Sequence, residues 1–319
     1  MSEPGQSDAR VVIVTRKTPL VQLIERWGTR TQAEFYLKTR GQQIADYEVS
    51  HEGFLAALDE VTRQIPTTRR RTSVDRSLLD RFIFAPDDIV VFVGQDGLVA
   101  NAAKYLDGQL AIGINPDPTR YEGVLVPFAP RVFAGLLAFA DSRKGPYLIE
   151  KRTMVEATRE DGQKLLALNE IFIGHRTHQS ARYRIKFGEE EERHSSSGVI
   201  VATGTGATGW ARSISTPLRE APPLPAPSEA RLAFFVREAW PSVATGTRIT
   251  KGVIEASSTL QISSDMPEDG IAFGDGIESD PVEFLSGQAL VVKVAQTALH
   301  LLKAPPPPPA PPAPAAKPA

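Results

Sequence analysis

The 319 residues predict two domains, an α/β domain with a parallel sheet followed by a β-rich domain of antiparallel strands. Up to about residue 125, apolar β-branched runs alternate with stretches of helical spacing. From about Lys151, short strands follow one another closely, with turn residues between them. Strands that alternate with helices indicate crossover connections in a parallel sheet, whereas closely spaced strands indicate antiparallel sheets or a sandwich.

The first domain is predicted to be Rossmann-like and to span residues 10–125. Val11–Val14 is its first strand, and the apolar, mostly β-branched Ile89–Val93 is a strand buried on both faces. Ala111–Asn115 is a short strand that ends at Pro116. Helical spacing is found in four stretches, namely Pro19–Trp27, Thr31–Tyr47, Phe54–Ile65 and Leu98–Leu106.

The second domain is predicted to span residues 126–303. Its Pro-rich stretch Thr216–Ala230 is a surface loop, and in the first domain we interpret the basic run Arg69–Arg71 as a solvated loop. Residues 1–9 and the Pro/Ala-rich residues 304–319 are predicted to be disordered. The predicted strands are Lys151–Ala157, Lys164–Ile173, Arg182–Phe187, Gly198–Ala202, Arg231–Val236, Gly252–Ala256, Thr259–Ser263 and Ala289–Ala295.

The composition excludes several classes of protein. The chain has no cysteine, which removes disulfides, thiolate metal sites and cysteine nucleophiles. Because the N-terminal sequence MSEPGQSDAR has no signal-peptide pattern and no apolar run is long enough for a bilayer, we expect a cytoplasmic protein. A formal net charge of −2 gives no reason to expect nucleic acid or a membrane as a partner.

An acid between two glycines follows the most apolar strand. Gly94, Gln95, Asp96 and Gly97 come directly after Ile89–Val93. The carboxyl end of a buried parallel strand is where open α/β sheets bind ligands, and glycines let a phosphate approach the backbone N–H groups. Because plain turns have the same sequence pattern, this cluster indicates a site only together with others.

Two further clusters lie in the β-rich domain. Asn169 and Glu170 precede an apolar stretch, and an amide beside a carboxylate can hold a diol, although such pairs also arise by chance. The Thr/Gly-rich loop Thr203–Trp210 follows the predicted strand Gly198–Ala202. Small residues let a ring system approach, threonine hydroxyls donate to acceptors, and Trp210 offers a stacking face. This loop therefore suits a nucleotide.

Other chemistries are less well supported. The glycines of the Thr/Gly-rich loop match the dinucleotide fingerprint G-x-G-x-x-G, but that fingerprint requires a following helix of about ten residues. Pro217 ends the helical stretch too early, so we do not favour a dehydrogenase. His175 and His178 lack a third candidate ligand, and we assign no metal site. The sequence has no P-loop, zincin or serine-hydrolase motif.

In their order and separation, the three clusters resemble the NAD kinase family, which has a Gly-Gly-Asp-Gly turn, an Asn–Glu pair and a Thr/Gly-rich loop ending in an aromatic residue. The resemblance runs from about Val11 to Leu302. The chain is similar in particular to the branch of this family that includes the animal mitochondrial enzymes. Three segments carry that narrower resemblance: 112–123 (IGINPDPTRYEG), 196–210 (SSGVIVATGTGATGW) and 235–238 (FVRE).

The resemblance implies an active site between two domains and phosphorylation of the 2′-hydroxyl of the adenosine ribose of NAD or NADH. It implies ATP with Mg²⁺ or another divalent cation as the donor, and a homodimer. Asp96 would be the general base, Gly94 and Gly97 would lie against phosphates, and Asn169 and Glu170 would hold the nicotinamide-side ribose. The other implied binding residues are Gln95, Thr203, Thr205, Gly206, Thr208, Gly209 and Trp210.

Three positions depart from the family pattern. Gln95 replaces the second glycine of the turn, Leu98 replaces the threonine that usually follows, and Ser197 stands where the larger bacterial branch has an aspartate. We also expect no closing helix after the last strand. Gln95 and Leu98 leave open a rival interpretation, a dinucleotide-binding relative that has lost donor binding. A lipid or sugar kinase with the same Asp–Gly turn is a third alternative.

Overall fold

The computed structural model describes residues 9–305, so the predicted disorder of residues 1–8 and 306–319 lies outside the described residues. The α-helices are α1 Pro19–Trp27, α2 Arg30–Lys38, α3 Ile44–Arg63, α4 Asp96–Ala103, α5 Phe133–Ser142 and α6 Trp210–Ser215. The strands before α6 are β1 Val11–Thr15, β2 Arg71–Asp75, β3 Ile89–Val93, β4 Leu110–Ile114, β5 Leu148–Arg159, β6 Lys164–Ala167, β7 Glu170–His175, β8 Ala181–Phe187, β9 Glu190–Ser196 and β10 Val199–Ala202. Those after it are β11 Arg231–Val236, β12 Lys251–Glu255, β13 Leu260–Ser264, β14 Gly270–Gly274, β15 Val282–Glu283 and β16 Ala289–Lys303.

The N-terminal part is an α/β domain around four parallel strands in the order β2–β1–β3–β4. Strand β3 is buried along its whole length, as its apolar run predicted. Its residues alternate between two cores, since Val90 packs with Leu98 of α4 and Val91 packs with Leu136 of α5. The predicted parallel sheet with crossover helices is confirmed.

Two helix predictions were wrong in their extent. The predicted helix Thr31–Tyr47 is broken, because α2 ends at Lys38 and α3 begins at Ile44. Gly41 lies between them with φ of 69°, a left-handed conformation that ends helices and that glycine adopts without strain. The predicted helix Phe54–Ile65 is the second half of the 20-residue α3.

The basic run Arg69–Arg71 is not a solvated loop. Arg69 is only 9% exposed, and its guanidinium donates to both carboxylate oxygens of Asp141 at 2.6 and 2.8 Å. Arg71 begins β2, a strand that the sequence analysis missed. A buried arginine is tolerated because its charge is paired and hydrogen-bonded.

The C-terminal part packs antiparallel strands against each other. A six-stranded sheet has the order β12–β11–β10–β7–β14–β15, and a shared core joins it to the strands around β13 and β16. The predicted antiparallel, β-rich domain is thus confirmed. The predicted strand Lys164–Ile173 is two strands, β6 and β7, with Leu168 and Asn169 between them. Strands β9, β14 and β15 were not predicted, and β9 reads EEERHSS, which lacks an apolar run.

The last strand, β16, joins the parallel strands of the N-terminal part to antiparallel strands of the C-terminal part. It pairs antiparallel with β5 and β13, and its far end then pairs in parallel with β4 through His300 and Leu301. The result is one ten-stranded sheet that runs through both parts of the chain. The predicted end at Ala295 was eight residues too early, and the extension carries Lys303 to the carboxyl end of the parallel strands.

Within the described range, no helix is both long and apolar enough to cross a membrane.

Candidate functional site

Asp96 lies at the carboxyl end of the central strand and is the first residue of α4. Its two carboxylate oxygens accept backbone N–H groups, Oδ1 from Leu125 at 2.8 Å and Oδ2 from Val124 at 3.0 Å. The side chain is half-buried. A carboxylate has about four acceptor positions, so Asp96 is held in place and still has positions for a substrate hydroxyl.

Gln95 faces the other side of the same turn. Its backbone is extended (φ −105°, ψ 166°), so this position does not require glycine. Its Oε1 accepts from the Arg16 guanidinium at 2.9 Å, and both residues line a cleft of about 540 Å³. The cleft is also lined by Pro19, Val49, Phe54, Pro116, Arg120 and Tyr121.

The glycines and Leu98 of the turn differ in their surroundings. A Cβ added to Gly94 would meet Leu98 Cδ2 at 3.0 Å, whereas a Cβ on Gly97 would have nothing within 4 Å. Leu98 is fully buried in the core beneath the turn. The departure at Leu98 therefore fills the space next to Gly94, whereas Gly97 is exposed.

The pair Asn169 and Glu170 lies at the turn from β6 to β7, and Asp275 holds this turn in place. Asp275 Oδ1 accepts from Asn169 N at 2.6 Å and its Oδ2 from Leu168 N at 2.9 Å. Asn101 of α4 donates to the carbonyl of Asp275 at 3.0 Å. The helix that begins at Asp96 is thereby tied to the Asn169–Glu170 pair.

Glu170 has a strongly perturbed acidity. Burial, and then the nearby charge of Asp275, raise the pKa of Glu170 to about 7. Burial also raises the pKa of Asp275 to about 6, against the opposing effect of its backbone hydrogen bonds. A carboxylate that titrates near neutral pH can both accept and donate hydrogen bonds to a ligand, and such groups concentrate at functional sites.

Glu170 should make stability depend on pH. In the folded protein its pKa is about 7, above the ordinary 4.5, so folding favours the protonated side chain. The stability that this protonation contributes is fully present below pH 4.5 and is lost as pH rises through 7. We expect Glu170→Gln to remove this decline and to be more stable than wild type by about 1–2 kcal/mol at pH 8. Urea unfolding at several pH values measures it. The exposed Glu191→Gln is the control, and an unchanged pH slope in Glu170→Gln would contradict the prediction.

The Thr/Gly-rich loop packs directly on the Asn169–Glu170 turn. Thr203 is fully buried, its N–H donates to Asn169 O at 2.9 Å, and its hydroxyl donates to Leu168 O at 2.5 Å. The Thr205 N–H donates to the Thr203 hydroxyl at 3.0 Å. A Cβ on Gly206 would lie 2.2 Å from Asn169 O, so only glycine permits this approach. The second and third clusters thus form one unit.

The end of this loop is more open. Thr208 and Gly209 are exposed, and Trp210 is half-buried at the start of α6. The Trp210 ring stacks on Phe172, with ring centroids 5.9 Å apart and an interplanar angle of 11°, and Arg237 lies 5.3 Å from its centroid. The stacking face predicted for a ligand is therefore already in contact with Phe172, beside a cleft of about 420 Å³ that Ser197 also lines.

Two basic residues that the sequence analysis missed lie between the clusters. Arg152 is 3% exposed, and its guanidinium donates to Glu150 at 2.7 Å and to the Thr205 hydroxyl at 3.2 Å. The Lys303 ammonium donates to Val124 O at 2.9 Å. Burial and the charge of Arg152 lower the pKa of Lys303, although Glu150 and Asp96 act in the opposite direction. These side chains link the surroundings of Asp96 to the Thr/Gly-rich loop.

The sequence held a signal for one missed residue. Asp275 lies in Gly274-Asp275-Gly276, an acid between two glycines like Asp96. Lys303 carried no such signal, since the strand that delivers it was predicted to end earlier. Throughout residues 9–305, no three His, Asp or Glu side chains are grouped so that they could hold a metal, and this includes the surroundings of His175 and His178.

Comparisons with known proteins agree with the resemblance noted in the sequence. No family model matches the chain. A protein of Chlorobium phaeobacteroides named NAD kinase is 30% identical over 195 residues, which are 59% of this chain and 63% of that protein. An NAD kinase of Chlorobaculum tepidum is 29% identical over 134 residues, 41% of this chain and 46% of that protein. The matched region thus spans between about half and two thirds of these relatives.

A solved structure shares the fold. The crystal structure of an NAD kinase from Archaeoglobus fulgidus in complex with ATP aligns with a TM-score of 0.57 and 19% sequence identity. The alignment covers 92% of this chain and 94% of that one. The resemblance to NAD kinases that the three clusters carried is confirmed by these relatives, and the two-part architecture is that of the solved structure.

Proposed function

We propose that this chain, which shares the fold of the NAD kinases, phosphorylates the 2′-hydroxyl of the adenosine ribose of NAD or NADH with ATP as the donor. The observation that carries the proposal is the position of Asp96. Its carboxylate lies at the carboxyl end of the central strand, where α/β sheets bind ligands, and two backbone N–H groups fix its orientation.

In the proposed reaction, Asp96 is the general base. The ribose 2′-oxygen forms a bond to the γ-phosphorus of ATP while the bond from that phosphorus to the bridging oxygen breaks. The hydroxyl proton passes to Asp96, and ADP leaves with the electrons of the broken bond. A positioned base typically contributes ~10²–10⁴-fold to the rate, and the rest depends on alignment and charge neutralisation.

The acceptor dinucleotide is proposed to bind along the unit formed by the Asn169–Glu170 pair and the Thr/Gly-rich loop. Glu170 suits a ribose diol, because its near-neutral pKa lets it accept or donate hydrogen bonds. We propose that three buried residues form the layer beneath the wall of the dinucleotide site, namely Thr203, Thr205 and Gly206. The exposed Thr208 and Gly209 are available for direct contact.

The donor is proposed to bind in the cleft on the Gln95 side of the turn. Its apolar and aromatic walls, which include Phe54 and Tyr121, suit a nucleobase, and the guanidinium groups of Arg16 and Arg120 suit phosphates. These walls favour a nucleoside triphosphate over a bare polyphosphate. We assign Mg²⁺ to the phosphates of the donor, because residues 9–305 contain no cluster of acidic and histidine ligands of their own.

The assay that tests the proposal measures NADP formation by the purified chain from NAD and Mg²⁺ with ATP, other nucleoside triphosphates and polyphosphate as donors. We expect turnover with ATP. No NADP from any donor would overturn the proposal. NADH as acceptor, assayed in parallel, decides which form of the dinucleotide is preferred.

The rival hypothesis is a dinucleotide-binding relative without turnover. It is supported by Gln95, which lines the proposed donor cleft and accepts a hydrogen bond from Arg16. It predicts calorimetric binding of NAD or NADP without product. A Gln95→Gly variant that gains activity from an inactive wild type would favour this rival. The similarity to proteins named NAD kinase favours this activity over a lipid or sugar kinase.

We also propose a homodimer and a place in the mitochondrial-type branch, which the sequence resemblance implies, together with the cytoplasmic location expected from the composition. Light scattering of the purified chain measures the oligomeric state. A monomer at micromolar concentration would contradict the proposed dimer.

A further inference from the structure

The extended end of β16 places a lysine beside the proposed base. Lys303 pairs with Leu148 of β5, three residues after His300 has paired with Leu110 of β4. Its backbone position is therefore set by two neighbouring strands and not by a loop. Its side chain is half-buried, which restricts the positions that the ammonium can reach.

Lys303 and Asp96 are joined by a single residue, Val124. The Lys303 ammonium donates to the carbonyl of Val124 at 2.9 Å, and the N–H of Val124 donates to the Asp96 carboxylate at 3.0 Å. The Asp96 charge reaches Lys303, since it acts to raise the pKa of that lysine. The ammonium and the carboxylate therefore bind the carbonyl and the N–H of the same residue.

Among the described residues, Lys303 forms no ion pair. Its hydrogen bond to Val124 uses one of three N–H donors, and across residues 9–305 no carboxylate oxygen lies within 4.0 Å of its nitrogen. The charged groups that act on it are Asp96 from α4 and both Glu150 and Arg152 from β5. Glu150 is itself held by Arg152 at 2.7 Å. An ammonium with two further donors and no carboxylate partner is suited to a group that brings negative charge.

We propose that Lys303 is a further catalytic residue, whose ammonium donates to the oxygens of the phosphoryl group as it passes to the hydroxyl at Asp96. This inference rests on the proposed kinase function and deepens it. The transferring group carries its charge on three oxygens, and a preorganised cation in a half-buried site stabilises that charge more than water does. Lys303 itself neither gains nor loses a covalent bond in this step.

The lysine also predicts a pH dependence. Burial and Arg152 lower the pKa of Lys303 below its ordinary 10.5, so its charge is lost at a lower pH than that of a free lysine. Turnover should therefore decline at alkaline pH in wild type. Arginine stays protonated throughout this range, and a Lys303→Arg variant should lack the decline.

The experiment compares wild type with Lys303→Met, Lys303→Gln and Lys303→Arg, with Lys293→Met as the matched control. Lys293 lies on the same strand, where it pairs with Glu156 at 3.3 Å on its antiparallel neighbour. NADP formation is measured as kcat and KM from about pH 6 to pH 10. Calorimetry gives the Kd for NAD, and circular dichroism checks folding.

We expect Lys303→Met to lower kcat by ~10²–10³-fold, the range for loss of one preorganised donor, with an unchanged Kd for NAD. Lys303→Arg should recover most of the activity and keep it at alkaline pH, and Lys293→Met should match wild type. Neutral variants within about threefold of wild type would overturn the inference. So would a loss that appears only as weaker NAD binding or as unfolding of both neutral variants. An inactive wild type would instead overturn the proposed function.

Discussion

An Asp96→Asn variant is expected to lose ~10²–10⁴-fold in kcat for NADP formation, because an amide cannot take the proton of the ribose hydroxyl. The change keeps the shape of the side chain. One amide oxygen can still accept from the N–H of Leu125 or Val124, while the amide NH₂ faces the other. The Kd for NAD should therefore stay within about threefold of wild type, so that the loss appears in kcat and not in binding.

The matched control for this variant is Asp87→Asn, an exposed aspartate two residues before β3. It should leave kcat and the Kd for NAD unchanged. Unfolding of Asp96→Asn is measured alongside, since the N–H that loses its acceptor costs about 1–3 kcal/mol. Full activity in a folded Asp96→Asn variant would refute the assignment of the base, although the kinase reaction itself would stand.

A Gly206→Ala variant is expected to lose NAD binding and to unfold at lower denaturant. The added Cβ would lie 2.2 Å from the carbonyl oxygen of Asn169 and 2.6 Å from its carbonyl carbon, so a backbone segment would have to move. Movement would break the hydrogen bond from the Thr203 N–H to Asn169 O. Overpacking of this kind costs about 1–3 kcal/mol, and occasionally more. We expect the Kd for NAD to rise at least about tenfold with it.

Gly97→Ala is the matched control for stability, because an added Cβ at Gly97 would meet nothing within 4 Å. Urea unfolding of both variants and calorimetry of Gly206→Ala with NAD are the measurements. If Gly206→Ala unfolds at the wild-type midpoint and binds NAD as wild type does, then the loop does not form the wall of the dinucleotide site. A loss of stability in both variants would show that the effect is not specific to Gly206.

Local patterns were sufficient for much of the fold. The run Ile89–Val93 predicted the central strand with its bounds, and the change from helical spacing to short strands predicted both parts of the chain. These predictions succeeded because a buried strand must be apolar along its whole length, which is visible in five consecutive residues. Strand β9 failed this test, since its polar sequence EEERHSS becomes a strand only by pairing with β8.

By itself, the sequence determined the two-part fold and the three clusters, together with the glycines that their turns require. It also carried the resemblance that the relatives confirmed. Only the tertiary structure decided that Asp275 holds the Asn169–Glu170 turn and that Lys303 lies beside the residue that holds Asp96. The physical reason is that short-range periodicity encodes burial, whereas these contacts join residues about 100 to 180 positions apart through strand pairing. The charges around the proposed reacting group are therefore visible only once β16 has paired with both the antiparallel β5 and the parallel β4.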